Sequence, residues 1–466
     1  MPHWNHFRFT TLWILILGLL LPVLMPEPSE AIPAFARKYD LSCGSCHTKP
    51  PRLNAFGEAF HMAGFQIPMT MEGEIRKKRN IGRIWSETDL LNIFALRATG
   101  NFVESFTGGD PAETNLTLPD ELELYLAGTL TQEISYFFSL ENESREIEGT
   151  GGTFSERSRF GLGREFFLMF NLQPLLRGPG SGDQGDHGPA HAVIHGPMLM
   201  AGKVDPSTNF SYPTNRQFLL DLPGRVESGG MNRFTLTPYA FAAKFFGIET
   251  GNGDSVEVTR QVLYNTEGDF GLDLHAMLGQ FLIQAGAMQG LDAGAADANP
   301  KKDPYLMLRM NFGGERYHSG SLSGLVYWGN DTAGVDNELV DWLRYGLSWN
   351  IKYRYLDLYG AVIWDKLSDL PAGTADTFDD TAWGLTAEGD YLATDRLLLS
   401  LRYDQMNAGG LSAEKADGKV LSLQGRLYLR DNLALYLRDS YNIEDVSDNP
   451  LQNFRNLIAL GVDLDF

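Results

Sequence analysis

Cys43-Gly44-Ser45-Cys46-His47 is the stretch of this chain whose residue types and spacing could do chemistry most directly. Two thiols at this spacing can add across the two vinyl groups of a haem, and the histidine that follows is then placed to ligate the iron. A local disulfide or a thioredoxin-like redox pair would use the same two cysteines. The redox reading wants a strand-to-helix βαβ setting that the flanking sequence lacks, and neither alternative needs His47. The 466 residues contain only these two cysteines, so they cannot staple distant parts of a fold, and their expected role is local. The expected cofactor is one covalently bound haem c, tethered by Cys43 and Cys46 and ligated by His47.

A c-type haem that transfers electrons has a second axial ligand, commonly Met or His. His61 and Met62 are the near choices, followed by Met69 and Met71; His187, His191 and His195 form a distant set. On a helix His61 and Met62 would point about 100° apart, so one of them at most faces the iron. Proximity in sequence ranks His61 ahead of the distant set. Each methionine also reads as ordinary packing. The three histidines also read as a solvated loop, since Gly188, Pro189, Gly196 and Pro197 oppose a helix there.

Two charged features remain. Arg76-Lys77-Lys78-Arg79 could meet haem propionates or lipid phosphates, or could simply be a solvated linker. Asp292, Asp297, Asp376, Asp379 and Asp380 could gather cations such as Fe²⁺, which carboxylates suit, or could serve solubility alone. No Ser/His/Asp order, no HExxH and no phosphate-binding glycine loop occurs, so a hydrolytic enzyme has no support.

The elements that must position these residues are of another kind. Residues 1–31 carry Arg8, an apolar run from Leu12 to Leu24 and the small residue Ala31, which reads as an export signal cleaved after Ala31. Beyond it no run of eighteen apolar residues occurs, so any membrane crossing must be made by strands. From about Leu90 the chain falls into segments with period-two alternation. Ile458, Leu460, Val462, Leu464 and Phe466 alternate with Ala459, Gly461, Asp463 and Asp465. Leu343, Tyr345, Leu347, Trp349, Ile351 and Tyr353 alternate with Arg344, Gly346, Ser348, Asn350, Lys352 and Arg354. Leu421, Leu423, Gly425, Leu427 and Leu429 do so with Ser422, Gln424, Arg426 and Tyr428.

Tight connectors at 393–395 and 430–432 alternate with long acidic ones at 366–380, 406–418 and 444–454, the arrangement of outer-membrane barrels. The expected fold is therefore all-β: a transmembrane antiparallel up-and-down β-barrel of about 16 to 18 strands with a small N-terminal haem segment. The uncertainty in the count lies between 197 and 248. The expected divisions are a signal peptide (1–31), a monohaem segment (32–67), a linker (68–88) and the barrel (89–466). A net charge of −21 argues against a nucleic-acid partner.

Ala31-Ile32-Pro33-Ala34-Phe35-Ala36-Arg37-Lys38-Tyr39, the Cys-His motif, Pro51-Arg52-Leu53-Asn54, Phe56-Gly57 and the stretch from Phe60 to Phe65 together resemble the N-terminus of the fused monohaem cytochrome-porins of iron-oxidising bacteria. The chain departs from that pattern at Glu58, where a basic residue is usual, and at His61, where a lysine is usual. The resemblance implies an outer-membrane protein that takes electrons from extracellular Fe(II) and passes them to a periplasmic c-type cytochrome, with the haem segment on the periplasmic side or within the lumen. Electron export to an external acceptor uses the same parts in reverse. A diffusion porin with a structural or sensory haem is the reading from another class.

Overall fold

The computed structural model describes Phe35 and residues 41–50, 52–65, 94–106, 113–130, 133–149, 153–172, 196–204, 207–210, 245–246, 248–249, 255–256, 269–289, 301–315, 318–333, 338–368, 378–407, 409–411, 417–443 and 455–465. The signal segment, the 68–88 linker with its basic run, Met69, Met71, His187, His191, His195, Asp292, Asp297 and Asp376 lie outside the described residues.

Sixteen strands close into one barrel with every neighbouring pair antiparallel. In chain order the first eight are β1 (Phe94–Phe106), β2 (Glu113–Thr129), β3 (Ile134–Gly149), β4 (Thr153–Asn171), β5 (Met198–Val204), β6 (Asp269–Leu278), β7 (Phe281–Met288) and β8 (Asp303–Glu315). The rest are β9 (His318–Ala333), β10 (Glu338–Tyr353), β11 (Leu356–Ser368), β12 (Thr381–Leu392), β13 (Leu397–Asn407), β14 (Asp417–Arg430), β15 (Leu433–Asn442) and β16 (Asn456–Asp465). The seam is made by β16 on β1, with Leu460 opposite Phe102 and Asp463 opposite Thr99. The strand count thus takes the lower of the two expected values. The stretch from 197 to 248 supplies one barrel strand among the described residues, β5, together with a short helix (Ser207–Phe210) and short strands outside the barrel.

The alternation read from the sequence sorts the side chains as expected. Along β10 Leu347, Ile351 and Tyr353 are exposed, whereas Arg344, Ser348, Asn350 and Lys352 are buried. The outward apolar row and the inward polar row are what a barrel in hydrocarbon requires, since backbone pairing is closed and only side chains meet lipid. Phe281, Phe312, Tyr353, Tyr355 and Tyr391 are exposed near the tight turns, where aromatic side chains form a membrane-interface girdle. Two of the long connectors are shorter than expected. Strand β11 runs on to Ser368, β13 to Asn407, and 378–379 and 409–411 pair with each other in a small sheet beside the barrel.

Candidate functional site

The Cys-His segment is built from two short helices and a two-stranded hairpin. Helix α1 (Cys43–Cys46) is one turn, held by the Ser45 amide donating to the Ser42 carbonyl at 2.9 Å. His47 leaves that turn in extended conformation and opens the hairpin, pairing with Leu53 while Lys49 pairs with Arg52. Helix α2 (Ala55–Met62) follows, with its termini set by local chemistry.

Asn54 caps α2, its side-chain oxygen accepting from the Gly57 amide at 3.0 Å. The same side chain donates to the carbonyls of Gly44 (3.3 Å) and Ser45 (3.0 Å), and the Asn54 amide donates to the Cys46 carbonyl at 2.8 Å. One residue thereby ties the start of α2 to the cysteine turn. At the other end the Phe65 amide donates to the Phe60 carbonyl and the Gly64 amide to the His61 carbonyl, with Gly64 at φ +67°. That is a Schellman motif, in which glycine takes the left-handed position.

Gly57 has a second requirement. A Cβ added there would lie 2.1 Å from the Cys46 carbonyl oxygen, so α2 crosses the cysteine turn at a distance only glycine permits. Gly57→Ala is expected to loosen the segment by about 1–3 kcal/mol, as overpacking does. Limited proteolysis of the folded barrel should then cleave residues 41–65 sooner than in the parent, with the barrel's heat-modifiable migration unchanged. Equal resistance of the two proteins would contradict this crossing.

The segment sits inside the barrel, at the end that carries the tight turns. Arg52 is fully buried; its Nε donates to Asp357 of β11 at 2.7 Å, and its guanidinium lies 4.1 Å over the Tyr359 ring. Lys352 of β10 donates to the Leu53 carbonyl at 2.5 Å, and the Tyr428 hydroxyl of β14 to the Pro50 carbonyl at 2.5 Å. Glu58 receives Arg309 of β8 at 2.5 Å and stands 3.9 Å from Lys352. The acidic residue that departs from the family pattern is thus matched by two cations of the wall. The His275 ring of β6 bonds the Met62 carbonyl at 3.0 Å.

The donor set fits a covalent haem. Both cysteines are half-buried on one helical turn with no disulfide between them, and His47 is half-buried beside them. Burial, with Cys43 beside it, pushes the Cys46 thiol up to about 11, so it is protonated at neutral pH. Phe35, Phe56, Phe60 and Phe65 form an aromatic cluster, with Phe35 on Phe65 at 4.8 Å and on Phe60 at 5.3 Å, which supplies an apolar wall of the kind haem pockets use.

His61 and Met62 are both buried. Both line one cavity of about 10 Å³, with Met169, Met200, Asp273 and His275, because the cavity meets the last turn of α2. That volume has room for about one water. The acidic residues Asp379 and Asp380 lie in or next to the small sheet beside the barrel; Asp380 stands 3.8 Å from Lys366, and Asp379 accepts from the Thr381 amide at 3.1 Å. Among the described residues no group of three or more His, Cys, Asp or Glu could hold a metal ion.

Sequence reasoning missed the wall partners Arg309, Asp357, Asp273 and His275. Their signal was parity: Asp273 and His275 alternate with the exposed Leu272 and Leu274, which marks them as facing inward.

No family model and no curated protein matches the chain. Among solved structures, it is similar to an anion-selective porin from Comamonas acidovorans, with 14% identity and a TM-score of 0.50 over 80% of this chain and 98% of that one. A Salmonella typhi OmpF complex with daunomycin gives 10% identity and 0.49 over 80% and 97%. The outer membrane channel DcaP of Acinetobacter baumannii gives 9% and 0.47 over 80% and 96%. At such identities the first of these likenesses speaks to architecture, and the architecture of this chain is a porin-like, closed 16-strand antiparallel β-barrel with a small two-cysteine segment at its N-terminal side.

Proposed function

We propose that this chain is an outer-membrane c-type cytochrome-porin that moves electrons across the outer membrane of a Gram-negative bacterium, from extracellular Fe(II) to a periplasmic c-type cytochrome. The observation that carries the reading is the fastening of the segment that bears the Cys43-to-His47 turn to the wall near the tight-turn end of the barrel, through the buried Arg52–Asp357 pair. Tight turns face the periplasm in outer-membrane barrels, so the segment would stand where a soluble cytochrome can approach it. Cys43 and Cys46 would tether one haem, His47 would supply one axial nitrogen, and His61 or Met62 would supply the other ligand. When bound, the haem supplies a one-electron ferric/ferrous couple.

The chain's own residues perform the rest. The aromatic cluster around Phe60 excludes water from one side of the segment, and the Asn54 clamp fixes α2 against the thiols. The barrel separates an external metal from the periplasm, so the ferric product, which hydrolyses and precipitates, stays outside. On the inner face of the wall Arg344, Arg402 and Arg426 are each at most 2% exposed and pair with Asp365, Asp404 and Asp463.

Haem staining and optical spectra test the reading. The membrane protein should carry covalent haem whose dithionite-reduced form shows the α-band of a low-spin c haem. Near-infrared magnetic circular dichroism of the oxidised form should give a bis-histidine signature, lost in His61→Ala. A methionine signature, lost in Met62→Ala, would transfer the ligand role to Met62, and a high-spin parent would contradict an electron-transfer site.

A further inference from the structure

Between the hairpin that opens at His47 and the barrel wall, at the tight-turn end, lies a cavity of about 20 Å³. A volume of that size has room for one water or one small ion. Asp390 of β12 lines it and is 2% exposed, and neither of its carboxylate oxygens accepts a hydrogen bond. Thr48 lines it from the hairpin side, and its buried Oγ1 has no hydrogen-bond partner either. A buried carboxylate with neither donor nor counter-ion is costly, so these two groups point to an occupant of the cavity.

The surrounding charges select its kind. Asp390 stands opposite Asp357 in the ladder and two residues from Glu388, while Ser400, opposite it on β13, offers a hydroxyl and no charge. The buried cations are committed to other carboxylates. Arg52 donates to Asp357 at 2.7 Å, Lys352 stands 3.9 Å from Asp357, and Arg402 stands 2.9 Å from Asp404 and 3.7 Å from Glu388. With their carboxyls ionised, Asp357, Glu388, Asp390 and Asp404 outnumber Arg52, Lys352 and Arg402 by one charge. Lys49 and Arg354 also line the cavity, but Lys49 Nζ lies 3.5 Å from Asp431 and the Arg354 guanidinium 5.4 Å from the Tyr353 ring, so both charges lie toward the exposed turns. The buried shell is therefore one cation short, and carboxylate and hydroxyl oxygens suit a hard ion. A divalent ion collects more charged oxygens than Asp390 and its neighbours leave open. We propose that the cavity is a site for one small monovalent cation of the size of Na⁺, held by the Asp390 carboxylate and the Thr48 hydroxyl, and that the ion pins the hairpin to β12. The site needs no haem, so it stands or falls apart from the proposed function.

The test uses the full chain purified in detergent, with sodium chloride exchanged for choline chloride at constant ionic strength and pH, and reads how long residues 41–65 resist protease in the folded barrel. Where cleavage follows transient opening, an ion that binds only the closed form lengthens survival by one plus the ratio of its concentration to Kd, about tenfold at roughly ten times Kd. That lengthening is the expected result in the parent. It should be absent in Asp390→Asn, which removes the surplus charge, and weaker in Thr48→Val, which keeps the charge and loses one ligand. Heat-modifiable migration reports the barrel in each, and Thr48→Val keeps the experiment decisive where Asp390→Asn fails to fold. Equal survival of the parent in sodium and choline would overturn the proposal: survival that then falls as pH rises would put a proton on Asp390, and survival indifferent to pH would leave a water in the cavity. A sodium effect undiminished in both folded variants would place the ion elsewhere and overturn it as well.

Discussion

Cys43→Ala and Cys46→Ala should each leave a folded, heat-modifiable barrel in the membrane fraction with covalent haem severely depleted. Each thiol is one of two covalent tethers, and no other cysteine in the chain can replace it. The barrel should be indifferent, because its sixteen strands pair among themselves and neither thiol takes part in a ladder. Haem-stained gels beside total-protein stain separate the two effects. Undiminished covalent haem in both variants would refute attachment at this motif, whereas loss of the barrel together with the haem would refute the independence of the two parts.

The second large effect concerns docking. Arg52→Met removes the cation that faces Asp357 at 2.7 Å and leaves that carboxylate buried, with Lys352 at 3.9 Å as its remaining close cation. Breaking a buried pair by deleting one partner costs about 3–5 kcal/mol, chiefly the desolvation of the group left behind. The hairpin and α2 should therefore detach from the wall for a measurable fraction of the time. The double variant Arg52→Met/Asp357→Leu should recover much of the loss, since removing both charges removes the orphan. Protease accessibility of residues 41–65 in the folded barrel measures it. A single variant as resistant as the parent would show that the segment is not held by this pair.

The barrel was legible in the sequence because its signal is repeated. The rows ending at Tyr353, Leu429 and Phe466 each assign an outer and an inner face, and the observed exposure of Leu347, Leu423 and Leu460 against the burial of Arg344, Gln424 and Asp463 follows them. The count was harder because one strand carries no such row. Met198-Leu-Met-Ala-Gly-Lys-Val204 is seven residues without a polar alternation, and its partner Asp269–Leu278 begins 65 residues later. Around the site, the caps of α2 obey local rules that Asn54 and Gly64 announce. The wall contacts obey none. Arg52 and Asp357 are 305 positions apart, and which strand reaches the segment depends on barrel closure, which no local pattern encodes. The cavity that touches both His61 and Met62 is likewise lined from strands remote in sequence, β4, β5 and β6 among them.

The most direct test of the central claim is an electron count across the wall. The oxidised protein, purified anaerobically and reconstituted into vesicles with a c-type cytochrome inside, is mixed with Fe(II) outside. The account predicts that the haem α-band of the barrel protein rises first and that the enclosed cytochrome is then reduced, with neither change in vesicles carrying Cys46→Ala. A protein that holds covalent haem and is reduced by dithionite, yet leaves both bands unchanged with Fe(II), would contradict it.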